Sequence, residues 1–278
     1  MWTDTTRALH ARSGLALPSD LTDAEWAVLE QLLPPASYVG RPRKWPSRRI
    51  VEAILYLLRG GLPWRMLPPC FPPVSTVRHW FYLWRDNGLW LTINHTLLMV
   101  AREVHGREAS PSAGVIDSQS VKTTESGGPR GYDAGKKTKG RKRHILTDTE
   151  GNLVHAVVHT ADIQDRDGAP LVLAEIVRRF PWLRHVFADG GYAGNKLKDA
   201  LRRIGKWTIE IIKRSDTAKG FEVLPRRWVV ERTLAWLNRN RLLAKDFEKT
   251  IASATAWLFI ESIQLFTRLI ARACNHTR

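Results

Sequence analysis

Asp117 in AGVIDSQSV, Asp189 in HVFADGGYAG and Glu231 in PRRWVVERTLAWLNR are the three residues of this chain best placed for chemistry. The first two each follow an apolar run that reads as a buried strand, and the third lies within a helical pattern. Two carboxylates at strand ends and one on a later helix can converge on divalent metal. Cutting a phosphodiester with water requires an activated nucleophile and a stabilised leaving oxygen, and two divalent ions about 3.5–4 Å apart supply both. Magnesium takes hard oxygen ligands and a few carboxylates, keeping other positions for water and substrate phosphate. Asp117, Asp189 and Glu231 are therefore the candidate catalytic and metal-ligating residues, for two Mg2+ or Mn2+ ions.

Taken singly, each has an ordinary explanation, as a turn former or a solvated charge. Their flanks argue for more. Asp189 precedes Gly190 and Gly191, where backbone can approach closely. Glu231 sits among Val229, Val230, Leu234 and Leu237, with Arg227 and Asn238 on nearly the same helical face. Asp133, Asp148, Asp162, Asp165 and Asp167 compete in the same half of the chain. In the acid-dense ADIQDRDGAP, Asp165 or Asp167 is assigned the role of capping the following helix. The histidines have no zinc spacing. GGYAG lacks the residues of a phosphate loop or a dinucleotide fingerprint, so ATP use is not indicated.

The 278 residues carry a formal charge of +16, with basic residues recurring along the chain, and the field of such a molecule attracts polyanions. GKKTKGRKRH places Lys136, Lys137, Lys139, Arg141, Lys142 and Arg143 within eight positions. Read as a loop between the first two strands, this run would neutralise phosphates beside Asp117, with Ser118 and Gln119 adding neutral hydrogen bonds. Nucleic acid is the expected partner. A membrane is not expected, because no apolar stretch approaches the ~20 residues needed to span a bilayer. The first residues, MWTDTTRALHARSG, lack a signal-peptide apolar region. Cys70 and Cys274, far apart, suggest neither disulfide nor zinc knuckle, and a reducing cytoplasm is expected.

The elements that must position these groups fall into two sets. After an aperiodic segment 1–20, helices are expected over Leu21 to Leu33, with Thr22 and Glu25 as a capping box, from Ser47 to Gly60, from Ser75 to Asn87, and from Leu89 to about Val104. This region, 21–110, reads as an all-helical DNA-binding domain in which the second and third helices pair in a helix-turn-helix-like manner. Arg78, His79 and Arg85 would then face DNA, and Trp80, Leu83 and Trp84 would form core. Region 113–278 changes to strands at Gly114 to Ser118, His144 to Asp148 and Leu153 to His159, the last two joined by a turn at Glu150, Gly151 and Asn152. A helix near Gly168 to Phe180, a strand at His185 to Ala188, a helix at Asn195 to Ile204, a strand at Thr208 to Ile212, the Glu231 helix and a last helix at Ile251 to Ala273 follow. That order is α/β and ribonuclease H-like: a mixed five-stranded sheet flanked by helices.

IDSQSVKTTESGG, GYDAGKKTKGRKRHI, FADGGYAG and RRWVVERTLAWLNRNRLLAKDFE resemble the DDE transposases of bacterial insertion sequences, in the family numbered five. Upstream, LTDAEWAVLEQLLPP and GLPWRMLP extend the resemblance over nearly the whole chain from Leu21. It implies that Asp117, Asp189 and Glu231 are the catalytic triad and that Arg227 is the arginine preceding the glutamate. The wider superfamily has a tyrosine three residues before that arginine and a lysine seven after the glutamate, where this chain has Leu224 and Asn238. Such enzymes bind terminal inverted repeats, hydrolyse a strand to expose a 3′ hydroxyl, and join it to target DNA. The resemblance makes the partner double-stranded DNA and the cytoplasm that of a bacterium, on the nucleoid. Joining two ends implies a homodimer or higher oligomer on DNA.

Overall fold

Strand β1 (Ala113–Lys122) lies at the centre of the sheet, antiparallel to β3 (Thr138–Asp148) on one side and parallel to β5 (His185–Ala188) on the other. The structure is a computed structural model and describes residues 3, 15–35, 43–212 and 227–276. β6 (Thr208–Ile211) pairs parallel with β5 at one margin. The far edge of β3 is shared by β2 (Gly131–Asp133) and β4 (Leu153–Thr160), both antiparallel to it. The sheet therefore has six strands rather than the expected five. The addition is the three-residue β2, whose hairpin the sequence presents as a glycine-rich loop, and the other five follow the ribonuclease H-like order.

The helices lie close to their expected bounds: α1 (Asp23–Glu30), α2 (Ser47–Gly60), α3 (Val74–Asp86), α4 (Leu89–Val104), α5 (Asp165–Ile176), α6 (Asn195–Ile204), α7 (Arg227–Leu237) and α8 (Ile251–His276). Thr22 and Glu25 form the capping box at α1, the Thr22 hydroxyl accepting the Glu25 amide and the Glu25 carboxylate accepting the Thr22 amide. Ser47 and Ser75, serines at the expected starts of their helices and so the expected caps, do not cap. Pro46 and Pro73 occupy those positions, where an absent N–H costs nothing because the first helical amides have no intrahelical partner. At the β3–β4 turn, one Asp148 carboxylate oxygen accepts the amides of Glu150 and Asn152.

α8 packs along α4, β4 and α1, so one apolar core runs from Leu29 and Ile54 through Trp84 and Leu97 to Ile145, Leu173 and Trp257. Polar ties cross the same seam. Asn94 donates to the Leu153 carbonyl at 3.0 Å, and Arg102 pairs with the buried Asp148 at 2.5 Å. Trp84 is fully buried and Trp80 half-buried as expected, whereas Leu83 is 42% exposed. Leu83 lies one residue from Trp84 and so points about 100° away from it around α3.

Candidate active site

Sheet pleating decides what faces what. Residues opposite one another on antiparallel strands share a face, and successive residues alternate. Ser118 stands opposite His144 and Asp117 opposite Ile145. Ser118 and His144 face α5, since the Ser118 hydroxyl donates to Asp165 Oδ1 at 2.8 Å and the His144 ring lies against Gly168. Asp117 therefore faces the other way, toward the layer that contains α7 and the segment after it, to which Arg143 reaches.

The parallel register places Val115 beside Phe187. Two residues further along the chain come Asp117, midway along β1, and Asp189, the residue just after β5, so the two carboxylates stand at the same level of the sheet; β1 runs on to Lys122, beyond the Ser118 at which the sequence suggested it would stop. Each carboxylate is half-buried and each is held by backbone: the Ser118 amide donates to Asp117 Oδ1 at 2.7 Å, and the Gly191 amide to Asp189 Oδ1 at 2.8 Å. Beneath them Tyr192 is buried, its hydroxyl 3.1 Å from His144 Nδ1. Burial pushes the Tyr192 phenol well above its ordinary range, and the Asp117, Asp165 and Asp189 carboxylates around it push the same way. The phenol stays neutral. Burial, and then the neighbouring His159, press His144 down to about 3, so this histidine is neutral as well.

Glu231 comes from α7, the helix packed on β1 and β3. The buried face of α7 is Val229, Val230, Thr233, Leu234 and Leu237, and the helical angle turns Glu231 away from it onto an exposed face. Among the described residues, no group of three or more His, Cys, Asp or Glu is arranged to hold a metal ion. Asp117 and Asp189 nonetheless fit a divalent cation in chemical kind, as paired hard-oxygen donors held in place by backbone amides. Arg227 opens α7, but its side chain lies outside the described residues, as does Leu224.

Asp165 corrects the assignment of ADIQDRDGAP. It is the first residue of α5 and Gln164 takes the cap position, so Asp165 turns instead into the cluster behind Asp117 and Asp189. Its Oδ1 accepts from Lys142 Nζ at 2.9 Å as well as from Ser118. Burial favours the protonated acid, and the hydrogen bonds from Lys142 and Ser118 outweigh it, holding the carboxyl below its usual range. No signal in the sequence marks this role, since the sequence pattern places the start of the helix three residues later, near Gly168.

The expected basic loop is largely strand. Arg141, Lys142 and Arg143 lie inside β3 and are almost wholly buried. Arg141 pairs with Asp246, Arg143 donates to the Leu243 carbonyl at 2.7 Å, and Lys142 is shared between Asp165 and Asp133 at 2.9 and 3.2 Å. None of the three is presented to a phosphate, because alternation sends each into a packed layer where a carboxylate or carbonyl from a distant segment accepts it. Burial would raise Asp133, but Ser120, the Lys136 amide and Lys142 together hold it at about 2. Lys136, Lys137 and Lys139 remain on the surface, with Lys136 Nζ donating to the Ser118 carbonyl at 2.8 Å. In α3, Arg78 is exposed and lies over Tyr82, while Arg85 is turned inward onto Asp86 and Ser253, each at 2.7 Å.

A family model described as "Transposase DDE domain" matches residues 108–263, more than half the chain and all the strands above. The chain belongs to the DDE transposase family. A second model, "Putative transposase of IS4/5 family", matches residues 21–94 and so covers α1 to α3. Among curated relatives of this transposase-family chain, the "Putative transposase for insertion sequence element IS402" of Burkholderia cepacia is 37% identical over 118 residues, 40% of this chain and 54% of that protein. The "Insertion element IS402 uncharacterized 16.2 kDa protein" of the same organism is 31% identical over 113 residues, 38% of this chain and 76% of that protein. The chain thus spans about half the length of the first of these relatives. No solved structure matches it. Among the described residues, no helix is long and apolar enough to cross a membrane.

Proposed function

We propose that this chain is an insertion-sequence transposase that binds the terminal inverted repeats of its element, cuts one DNA strand at each end, and joins the exposed 3′ hydroxyl to target DNA. One observation carries the reading: Asp117 in mid-β1 and Asp189 just past β5 stand at the same level of adjacent parallel strands, each with one oxygen fixed by a backbone amide. Glu231, on the helix that covers Asp117's face, is the third acid of the set. Two Mg2+ or Mn2+ ions bound there would activate water or a 3′ hydroxyl and stabilise charge on the leaving oxygen. The chain's own contribution is placement. Amide donation orients both carboxylates, and Tyr192 and His144 are buried beneath them. Cleavage and joining are both in-line displacements at phosphorus, so one site can serve each in turn, and two ends require at least a homodimer on DNA.

The exposed Lys137 and Lys139 are assigned to DNA phosphates, with Arg78 of α3 and Arg227 of α7 as further contacts. The test is incubation of the purified chain with repeat-ended duplex and Mg2+ or Mn2+. Nicking at the repeat end and strand joining, both abolished by Asp117→Asn, are expected. A chain that binds the repeats but never cuts them in either metal is a noncatalytic DNA-binding protein, and the reading fails.

A further inference from the structure

Asp165 bonds one of the residues whose amides hold Asp117 and Asp189, and lies beside the other. On one side, Ser118 gives its amide to Asp117 Oδ1 and its hydroxyl to Asp165 Oδ1. On the other, Gly191 gives its amide to Asp189 Oδ1, and a methyl built on its Cα would stand 3.3 Å from Asp165 Oδ2 and 3.0 Å from Asp189 Oδ1. One oxygen of this carboxylate is thus bonded to the first support and the other lies close to the second. Asp165 is itself fixed: Lys142 Nζ donates to Oδ1, the same ammonium pairs with Asp133, and Lys136 Nζ donates to the Ser118 hydroxyl at 3.1 Å. Lys142 and Asp133 are each less than a tenth exposed and Asp165 is half-buried, so the centre of this array of alternating charge is buried, with Lys136 at its surface edge.

We infer that Asp165 is a positioning residue which, through Ser118 and Gly191, sets the separation and orientation of Asp117 and Asp189 and so tunes their grip on a divalent cation. The inference rests on the transposase reading only for its consequence in catalysis. Its physical content, that a carboxylate one residue removed from each donor governs cation affinity, stands without it. Groups that orient metal ligands from behind commonly change metal affinity by about 10–100-fold when removed.

The test is Mn2+ binding by the full chain, with free Mn2+ read by electron paramagnetic resonance and thermal unfolding run in parallel. Asp165→Asn keeps the shape and removes the charge, and is expected to weaken Mn2+ binding about tenfold. Ser118→Ala changes no charge and keeps the amide donor, yet is expected to weaken binding severalfold, which separates positioning from simple loss of a nearby negative charge. Asp165→Glu should recover part of the loss. Should Asp165→Asn fail to fold, Ser118→Ala decides. Parent-like Mn2+ affinity in the folded variants overturns the inference, as does a parent chain that binds no Mn2+. A parent that binds Mn2+ with this dependence on Asp165, but does not cut or join repeat-ended DNA, leaves the inference standing and removes the transposase reading.

Discussion

The Arg141 guanidinium donates through Nη1 to both carboxylate oxygens of Asp246, at 3.1 Å each, in a place where neither side chain reaches solvent. The same guanidinium satisfies the carbonyls of Pro129, Glu248 and Lys249, so one residue of β3 closes the loop before β2 and the approach to α8. Removing one partner strands the other charge. Asp246→Ala is expected to cost about 3–5 kcal/mol of unfolding free energy in a denaturant titration. The paired change of Arg141→Met with Asp246→Leu should cost less than Asp246→Ala alone, since no buried charge is left unmatched.

The lysines of the same run should behave differently. Lys137→Ala or Lys139→Ala is expected to leave unfolding within about 0.5 kcal/mol of the parent. Each should lower the slope of log affinity for DNA against log salt by about one. Arg143→Ala is expected to unfold the protein early instead, because its guanidinium is spent on the carbonyls of Leu243 and Lys245. Equal effects of lysine and arginine changes on the salt slope would contradict this division.

Asp117→Asn and Asp189→Asn are expected to reduce metal-dependent cleavage about a hundredfold or more while leaving the thermal midpoint near that of the parent. Glu231→Gln should do the same to cleavage, with even less effect on stability because Glu231 is exposed. Normal cleavage by Glu231→Gln would remove that residue from the reaction.

His155 predicts a pH dependence. It is buried between β4 and α8, its ring 5.7 Å from Phe259, and burial, then Arg179, lower it to about 4. Between the unfolded value near 6.5 and the folded value, the unfolded chain binds a proton that the folded chain does not. Stability should therefore fall as pH drops through that window, by about 1.4 kcal/mol per pH unit for this group. His155→Phe is expected to flatten the fall, as read from unfolding midpoints at pH 7, 6 and 5. An unchanged pH slope would show that other groups carry it.

Much of the scaffold was legible in local pattern. The strand at His185 to Ala188, the helix at Asn195 to Ile204, the Thr22–Glu25 box and the turn at Glu150 to Asn152 depend on spacing within a few residues. What was not legible depends on partners far along the chain. Nothing near Arg141 announces Asp246, and nothing in ADIQDRDGAP reveals that β1 and β3 bring Ser118 and Lys142 to Asp165. Of the three acids, Asp117 and Asp189 inherit their nearness from parallel strand pairing. Glu231 depends on how α7 is rotated, and that is set by its apolar face rather than by the glutamate.

α8 fastens the first four helices and the sheet into one body, and this makes the molecule a ruler. For a duplex held by α3 as proposed, the stretch between the gripped bases and the Asp117–Asp189 pair is spanned by packed elements that α8 ties together. One extra base pair inserted there advances the helix by about 3.4 Å, so the nick should fall on a different phosphate while the grip stays where it was.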